Sequence, residues 1–158
     1  MSKIKMVRID YRMIHGQIVA KWIKFRPVDR LILADDELVD DPFMGDIYKM
    51  AVPQKEVDIV KLAGIQAVLD KKDDTVMVIF KNVKSAYTAI KRGLTLPELN
   101  VGAVQNAEDR KPVSQGISLS KDEYVMLKEL RDSGLNVYLQ PIPENDPIDL
   151  NSIDKKLS

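Results

Sequence analysis

Residues 8 to 19 read RIDYRMIHGQIV and bring together, in quick succession, a carboxylate (Asp10), a guanidinium (Arg12), an imidazole (His15), a glycine (Gly16) and an amide (Gln17). His15 is the only histidine of the chain, and there is no cysteine. A histidine-based metal site completed by further His or Cys ligands cannot be assembled from that inventory. A single imidazole can act as an acid or base, or can itself be a nucleophile. Arg12 offers a forked donor matched to phosphate oxygens. Asp10 can orient the imidazole or hold Arg12, and Gln17 can donate to an anion. Gly16 allows close approach of the backbone or an unusual conformation. The competing reading is a partly buried histidine that fills a loop.

The elements around the segment decide between these readings. KIKMVRI (3–9) is a strand, and GQIVAKWIKF (16–25) is helical by spacing, with Ile18, Trp22 and Phe25 on one face. His15 therefore lies in a β–α loop, at the carboxyl end of a strand and beside a helix start. Open α/β sheets place their ligand sites at this edge, and a helix N-terminus suits an anion.

The same alternation continues along the chain. Strands are expected at 29–35, 56–62, 75–80, 98–104, 113–120 and 135–143, and helices at 40–52, 63–71, 82–93 and 120–134. Pro42 falls in the first turn of its helix. Ser120 and Glu123 form a capping box, and Gly93 and Gly134 close helices. This pattern predicts an α/β fold: an open, mostly parallel central sheet of about seven strands with helices on both faces. The chain reads as one domain over 1–158, with a polar, proline-containing tail that runs over the surface and has room for one short helix.

Lys plus Arg and Asp plus Glu both number 24. That balance argues against a general nucleic-acid binder, which carries a basic excess. Apolar runs are too short to span a bilayer, and the N-terminus lacks a secretory apolar region. These features point to a cytoplasmic protein.

Other features carry less. Asp35, Asp36 and Glu37 read as a capping acidic turn rather than a magnesium site. Lys81 ends the strand 75–80 and either adds positive potential beside His15 or is an exposed strand-end lysine. Asn100 and Gly102, in NVG, read equally as a tight turn or a phosphate contact. Trp22, Met44 and Met50 are expected in the core; the alternative for the two methionines is a docking face.

The segment RIDYRMIHGQIVAKW resembles the active-site signature of enzyme IIB components of the phosphotransferase system, mannose/fructose/sorbose family: R-[IV]-D-x-R-[LI]-I-H-G-Q-V followed by a tryptophan. DDELVDDPFMGDIYKMAVP, LNVGAV and VSQGISLSKDEYVMLKELRDSGLNVYLQPIP extend the resemblance over nearly the whole chain. Tyr11 stands where the family often has an acidic residue, and NVG continues as Ala-Val-Gln where many members have a second Gly or a Ser.

The resemblance implies a phosphocarrier. His15 would accept a phosphoryl group, through Nδ1, from a phosphohistidine on a IIA protein or domain. It would pass the group to a sugar entering through the membrane IIC and IID subunits. Arg12 and Asp10 would steady the phosphoryl group and the ring, Gly16 and Gln17 would form the turn and helix start, and Tyr11 and Met13 would face the partner. No metal or organic cofactor is implied, and the chain would sit in the cytoplasm, peripheral to the permease. The alternative is a Rossmann-like small-molecule enzyme with His15 as general base, although IHGQ holds one glycine where that fingerprint needs three. A third reading is a non-catalytic regulatory domain that docks partners through this edge.

Overall fold

The computed structural model describes residues 1–157. Seven strands form one sheet in the order β3-β2-β4-β1-β5-β8-β9: β3 (Glu56–Val60), β2 (Arg30–Ala34), β4 (Thr75–Phe80), β1 (Lys3–Asp10), β5 (Leu99–Ala103), β8 (Val137–Leu139) and β9 (Ile148–Asp149). All neighbours are parallel except β9, which runs antiparallel to β8. The expected fold class is therefore the observed one.

Two apolar clusters cover the two faces. Val7, Ile9, Ile32, Val78, Phe80 and Val101 point into the larger one, beneath α4 (Ile65–Asp70), α5 (Val83–Lys91) and α6 (Lys121–Asp132). Met6, Leu31, Leu33, Met77 and Ile79 point into the smaller one, beneath Ile18 and Trp22. This is the period-2 alternation of a strand buried on both faces.

The connections out of the sheet position the site. After β1 the chain moves toward β2, on one side. After β5 it moves toward β8, on the other. β1 and β5 are neighbours, so a crevice opens at their carboxyl ends, the topological switch point of an open sheet.

Sequence signals hold well at the helix ends. Pro42 opens α3 (Pro42–Ala51), Ser120 and Glu123 make the expected capping box on α6, and Gly93 and Gly134 take positive φ at helix ends. Several expectations are corrected. The stretch 113–120 is not one strand but an antiparallel hairpin outside the main sheet, β6 (Lys111–Ser114) and β7 (Ile117–Leu119), turned at Gly116 with φ 73°. A positive φ at that position breaks a strand and suits only glycine without cost.

The tail also does more than run over the surface. It supplies β9, a short 3₁₀ turn and α7 (Asp154–Leu157), and it buries Leu150, Ile153 and Leu157. Segment 16–25 is helical, but Ile18–Trp22 forms a π-helical turn before α1 (Ile23–Phe25). The wider turn rotates later residues off the 3.6 spacing. Phe25 is accordingly 58% exposed, although its ring meets Trp22 edge-on. Met44 is only half-buried and Met50 is exposed, so neither is core. Trp22 is core, as expected.

Candidate functional site

The loop that follows β1 is built by Asp10. Its backbone carbonyl accepts from Met13 N at 3.0 Å, and its Oδ1 accepts from Arg12 N at 3.0 Å. An aspartate that bonds the backbone two residues on is an Asx turn, and it redirects the chain sharply. Met13 then takes φ 59°, in the left-handed region. That conformation costs about 1–2 kcal/mol in a non-glycine residue. Met13 is 1% exposed, packed in the small cluster with Ile14, Ile18 and Trp22. Burying a methionine side chain returns about 1.5–3 kcal/mol, which offsets the strain.

Two expectations change here. Met13 does not face a partner; it is the plug that anchors the loop. The unusual backbone conformation belongs to Met13 rather than Gly16. Gly16 is exposed, and a side chain there would meet nothing within 4 Å.

The loop holds His15 at both ring nitrogens. Nε2 lies 2.7 Å from Asp10 Oδ2, and Nδ1 accepts from the backbone N–H of Gln17 at 3.3 Å. An ionised carboxylate only accepts, so Nε2 must carry the proton; a nitrogen that accepts an N–H must offer its lone pair. The two contacts fix the same tautomer. Both of the roles the sequence allowed Asp10 are realised at once, because Oδ1 also takes Arg12 Nε at 3.2 Å. Arg12 is one-third exposed, reaches Gln17 Oε1 at 3.5 Å, and lies 5.7 Å over the Tyr11 ring.

Asp10 itself is fully buried. Burial pushes its carboxyl up, but the hydrogen bond to His15 and the charge of Arg8 outweigh it. The group is held below the ordinary carboxylate range.

Sequence reasoning gave Arg8 no role, yet its side chain is fully buried and reaches Asp10 Oδ2 at 3.2 Å. The signal was present: Met6, Arg8 and Asp10 share one face of β1, with Val7 and Ile9 between them, so R-x-D places two charges in the buried half of the strand. Asn100 and Gly102 do not form a tight turn, because both lie within β5. Asn100 lies in β5 and accepts from Arg8 Nη1 at 2.8 Å. Gly102 has no partner in the β1–β5 register, which steps from Ile9↔Val101 to Asp10↔Ala103. A bulge here bends the strand beside the site.

The remaining candidates fall outside the cluster. Lys81 follows β4 at the same sheet edge but is exposed, and no hydrogen bond or ion pair among the described residues joins it to Asp10, Arg12 or His15. Asp35 caps α2 (Asp36–Val39) through Leu38 N, and Asp36 accepts from Leu62 N, so both carboxylates serve backbone groups as expected of a capping turn.

A cavity of about 180 Å³ lies beside the loop, lined by Tyr11, Arg12 and Gln17 on one side and Gly102, Gln115 and Asn145 among others across it. Small-molecule sites run to about 300–1,000 Å³ and are mostly apolar. This one is smaller than that range, which disfavours the small-molecule enzyme reading.

Comparison with known proteins agrees with the geometry. The family model of the PTS system sorbose subfamily IIB component matches residues 4–157. A sorbose-specific EIIB component of Lacticaseibacillus casei is 29% identical over 91% of this chain and 90% of its own. A fructose-specific EIIB component of Bacillus subtilis is 26% identical over 92% and 91%. Among solved structures, manxB from Thermoanaerobacter tengcongensis superposes with a TM-score of 0.91 at 37% identity, covering 99% of this chain and 97% of that one. The IIBSor domain of the Klebsiella pneumoniae sorbose permease gives 0.89 at 26% identity, with 97% of each chain covered.

Proposed function

We propose that this chain, which belongs to the sorbose subfamily of phosphotransferase-system IIB components, acts as one IIB domain that carries a phosphoryl group on His15. It takes the group from a phosphohistidine of a IIA protein or domain. It passes the group to a sugar entering through membrane IIC and IID subunits, as a protein-Nπ-phosphohistidine–sugar phosphotransferase. No helix among the described residues is long and apolar enough to cross a membrane, and the site of action is the cytoplasmic side of that permease.

The observation that carries this reading is the held tautomer. With Nε2–H against Asp10, Nδ1 carries the lone pair and is the nucleophile, held in the resting state by the Gln17 N–H. It attacks phosphorus in line, the donor's N–P bond breaks, and the donor imidazole recovers its electron pair. The phosphorylated ring of His15 then bears positive charge, which the Asp10 carboxylate balances. The Gln17 N–H, released from Nδ1, faces the incoming phosphoryl oxygens, with the Arg12 guanidinium next to it. Such transfer rests on positioning and charge stabilisation, so no metal or organic cofactor is called upon. The test is incubation with phosphoenolpyruvate, the general phosphotransferase proteins and a cognate IIA, followed by mapping of acid-labile phosphate. Label on His15 is the expected result, and label elsewhere or none refutes the proposal.

Arg12→Lys keeps the charge but loses the fork that meets two acceptors together. A hydrogen bond to a charged group contributes about 1.5–3 kcal/mol, and about 1.4 kcal/mol is a factor of ten in rate. Single-turnover transfer to the variant should therefore slow by roughly tenfold or more. Equal rates for variant and parent would remove Arg12 from the site.

Tyr11 is the exposed aromatic of the loop, and aromatic side chains are enriched in protein interfaces. Tyr11→Ala should raise the apparent KM for IIA more than it lowers kcat, without changing the lifetime of phosphate already on His15. Titration of IIA in a transfer assay reads the split. An unchanged KM with a collapsed kcat would place Tyr11 in the chemistry instead.

A further inference from the structure

Arg8 occupies a core position. It shares a face of β1 with Met6 and lies beneath Trp22, its guanidinium 5.1 Å from the ring centroid. Beyond its contact with Asp10, Nη1 donates to Asn100 Oδ1 at 2.8 Å and to the Gln140 carbonyl at 3.0 Å, and Nη2 donates to the Pro141 carbonyl at 2.8 Å. The Asn100 amide donates to the same Gln140 carbonyl at 3.2 Å. Room for the guanidinium comes from Gly102, where a Cβ would stand 2.0 Å from Arg8 Cζ.

An apolar side chain would fill this space at lower cost, since buried ion pairs seldom add stability over packed hydrocarbon. The charge must therefore be explained by what it faces. It faces Asp10, whose other oxygen contacts and His15 contact leave the carboxylate fully engaged. Without a buried cation, desolvation would favour the neutral acid. A protonated Asp10 could donate to Nε2. The imidazole proton would then move to Nδ1, where it would confront the Gln17 N–H, donor against donor.

We propose that Arg8 is a positioning residue for phosphoryl transfer: from a cradle made by Asn100 and the missing Cβ of Gly102, it holds the Asp10 carboxylate against Nε2 of His15 and so keeps the Nδ1 lone pair available. The direction of Asp10 titration, lowered with Arg8 among its causes, agrees with this geometry. The inference rests on the phosphocarrier reading for its kinetic consequence, but not for its effect on the tautomer.

The experiment uses the full chain with two substitutions. Arg8→Gln removes the cation but keeps donors for the surrounding carbonyls, and Asn100→Ala removes one anchor of the guanidinium. ¹⁵N NMR of the His15 ring, on the alkaline side of its titration, reports the tautomer, and a dispersed amide spectrum reports the fold. Transfer from phosphorylated IIA supplies kcat and KM. The expected result is growth of the Nδ1–H tautomer and a fall in kcat of about 10-fold or more, the scale on which outer partners of an oriented histidine act. KM for IIA should stay within a factor of about two, because the partner-facing side chains are untouched. Folded variants that keep the parent tautomer and the parent kcat overturn the proposal. If Arg8→Gln does not fold, Asn100→Ala decides alone. Failure of the parent to form phosphohistidine would refute the phosphocarrier reading, while the tautomer measurement would still decide the role of Arg8.

Discussion

His15→Ala is expected to abolish phosphohistidine formation outright and to leave the fold intact. The sequence contains no second imidazole to take the group, so no slow bypass through a neighbouring histidine exists. The side chain sits in a loop, 15% exposed, and its contacts are to Asp10 and to one backbone N–H. Removing it leaves Asp10 its bonds to Arg8 and Arg12, so no buried charge loses its last partner. Stability should fall by about 1–3 kcal/mol, since one of the two lost hydrogen bonds is to a charged carboxylate. Phosphate incorporation from IIA and urea unfolding, measured on the same preparation, check both halves. Retained acid-labile phosphate in a folded His15→Ala protein would sink the phosphocarrier reading.

Asp10→Ala should have the opposite signature, a large loss of stability. Arg8 would keep its bonds to Asn100 and two carbonyls but would be left as a buried charge without a counter-ion. Breaking a buried pair from one side costs about 3–5 kcal/mol. The Asx turn that starts the loop would go with it. Urea unfolding of parent and variant measures this directly, and a difference under about 1 kcal/mol would mean that the carbonyls and the Trp22 ring satisfy Arg8 by themselves.

A pH dependence follows with a definite sign. The carboxyl of Asp10 titrates below its ordinary value in the folded chain. Its contribution is therefore fully present above the ordinary carboxylate range and is lost as pH falls through the lowered folded value. Parent stability should drop in that acid window by more than the stability of Asp10→Ala does.

Most of the strand–helix alternation, the capping box at Ser120 and the His15 loop were legible in the sequence. Each rests on local physics: the spacing of apolar residues, a side chain bonding backbone three residues away, a short strand-to-helix turn. The triad of Asp10, Arg12 and His15 was legible for the same reason, since its members lie within five residues of one another.

The tertiary structure decided the rest. Arg8 acquires its meaning from Asn100, 92 positions away, and from Gln140 and Pro141, 132 and 133 away. Gly102 is explained by a guanidinium from another strand rather than by its own turn. Met13 looks like a loop surface residue until the helix carrying Ile18 and Trp22 closes over it, and Met50 looks apolar enough for a core that α3 does not offer it. The tail reads as polar, yet three of its side chains complete the larger cluster. Periodicity states which residues can share a face. Which face is covered, and by what, depends on contacts that form only when distant segments of the chain meet.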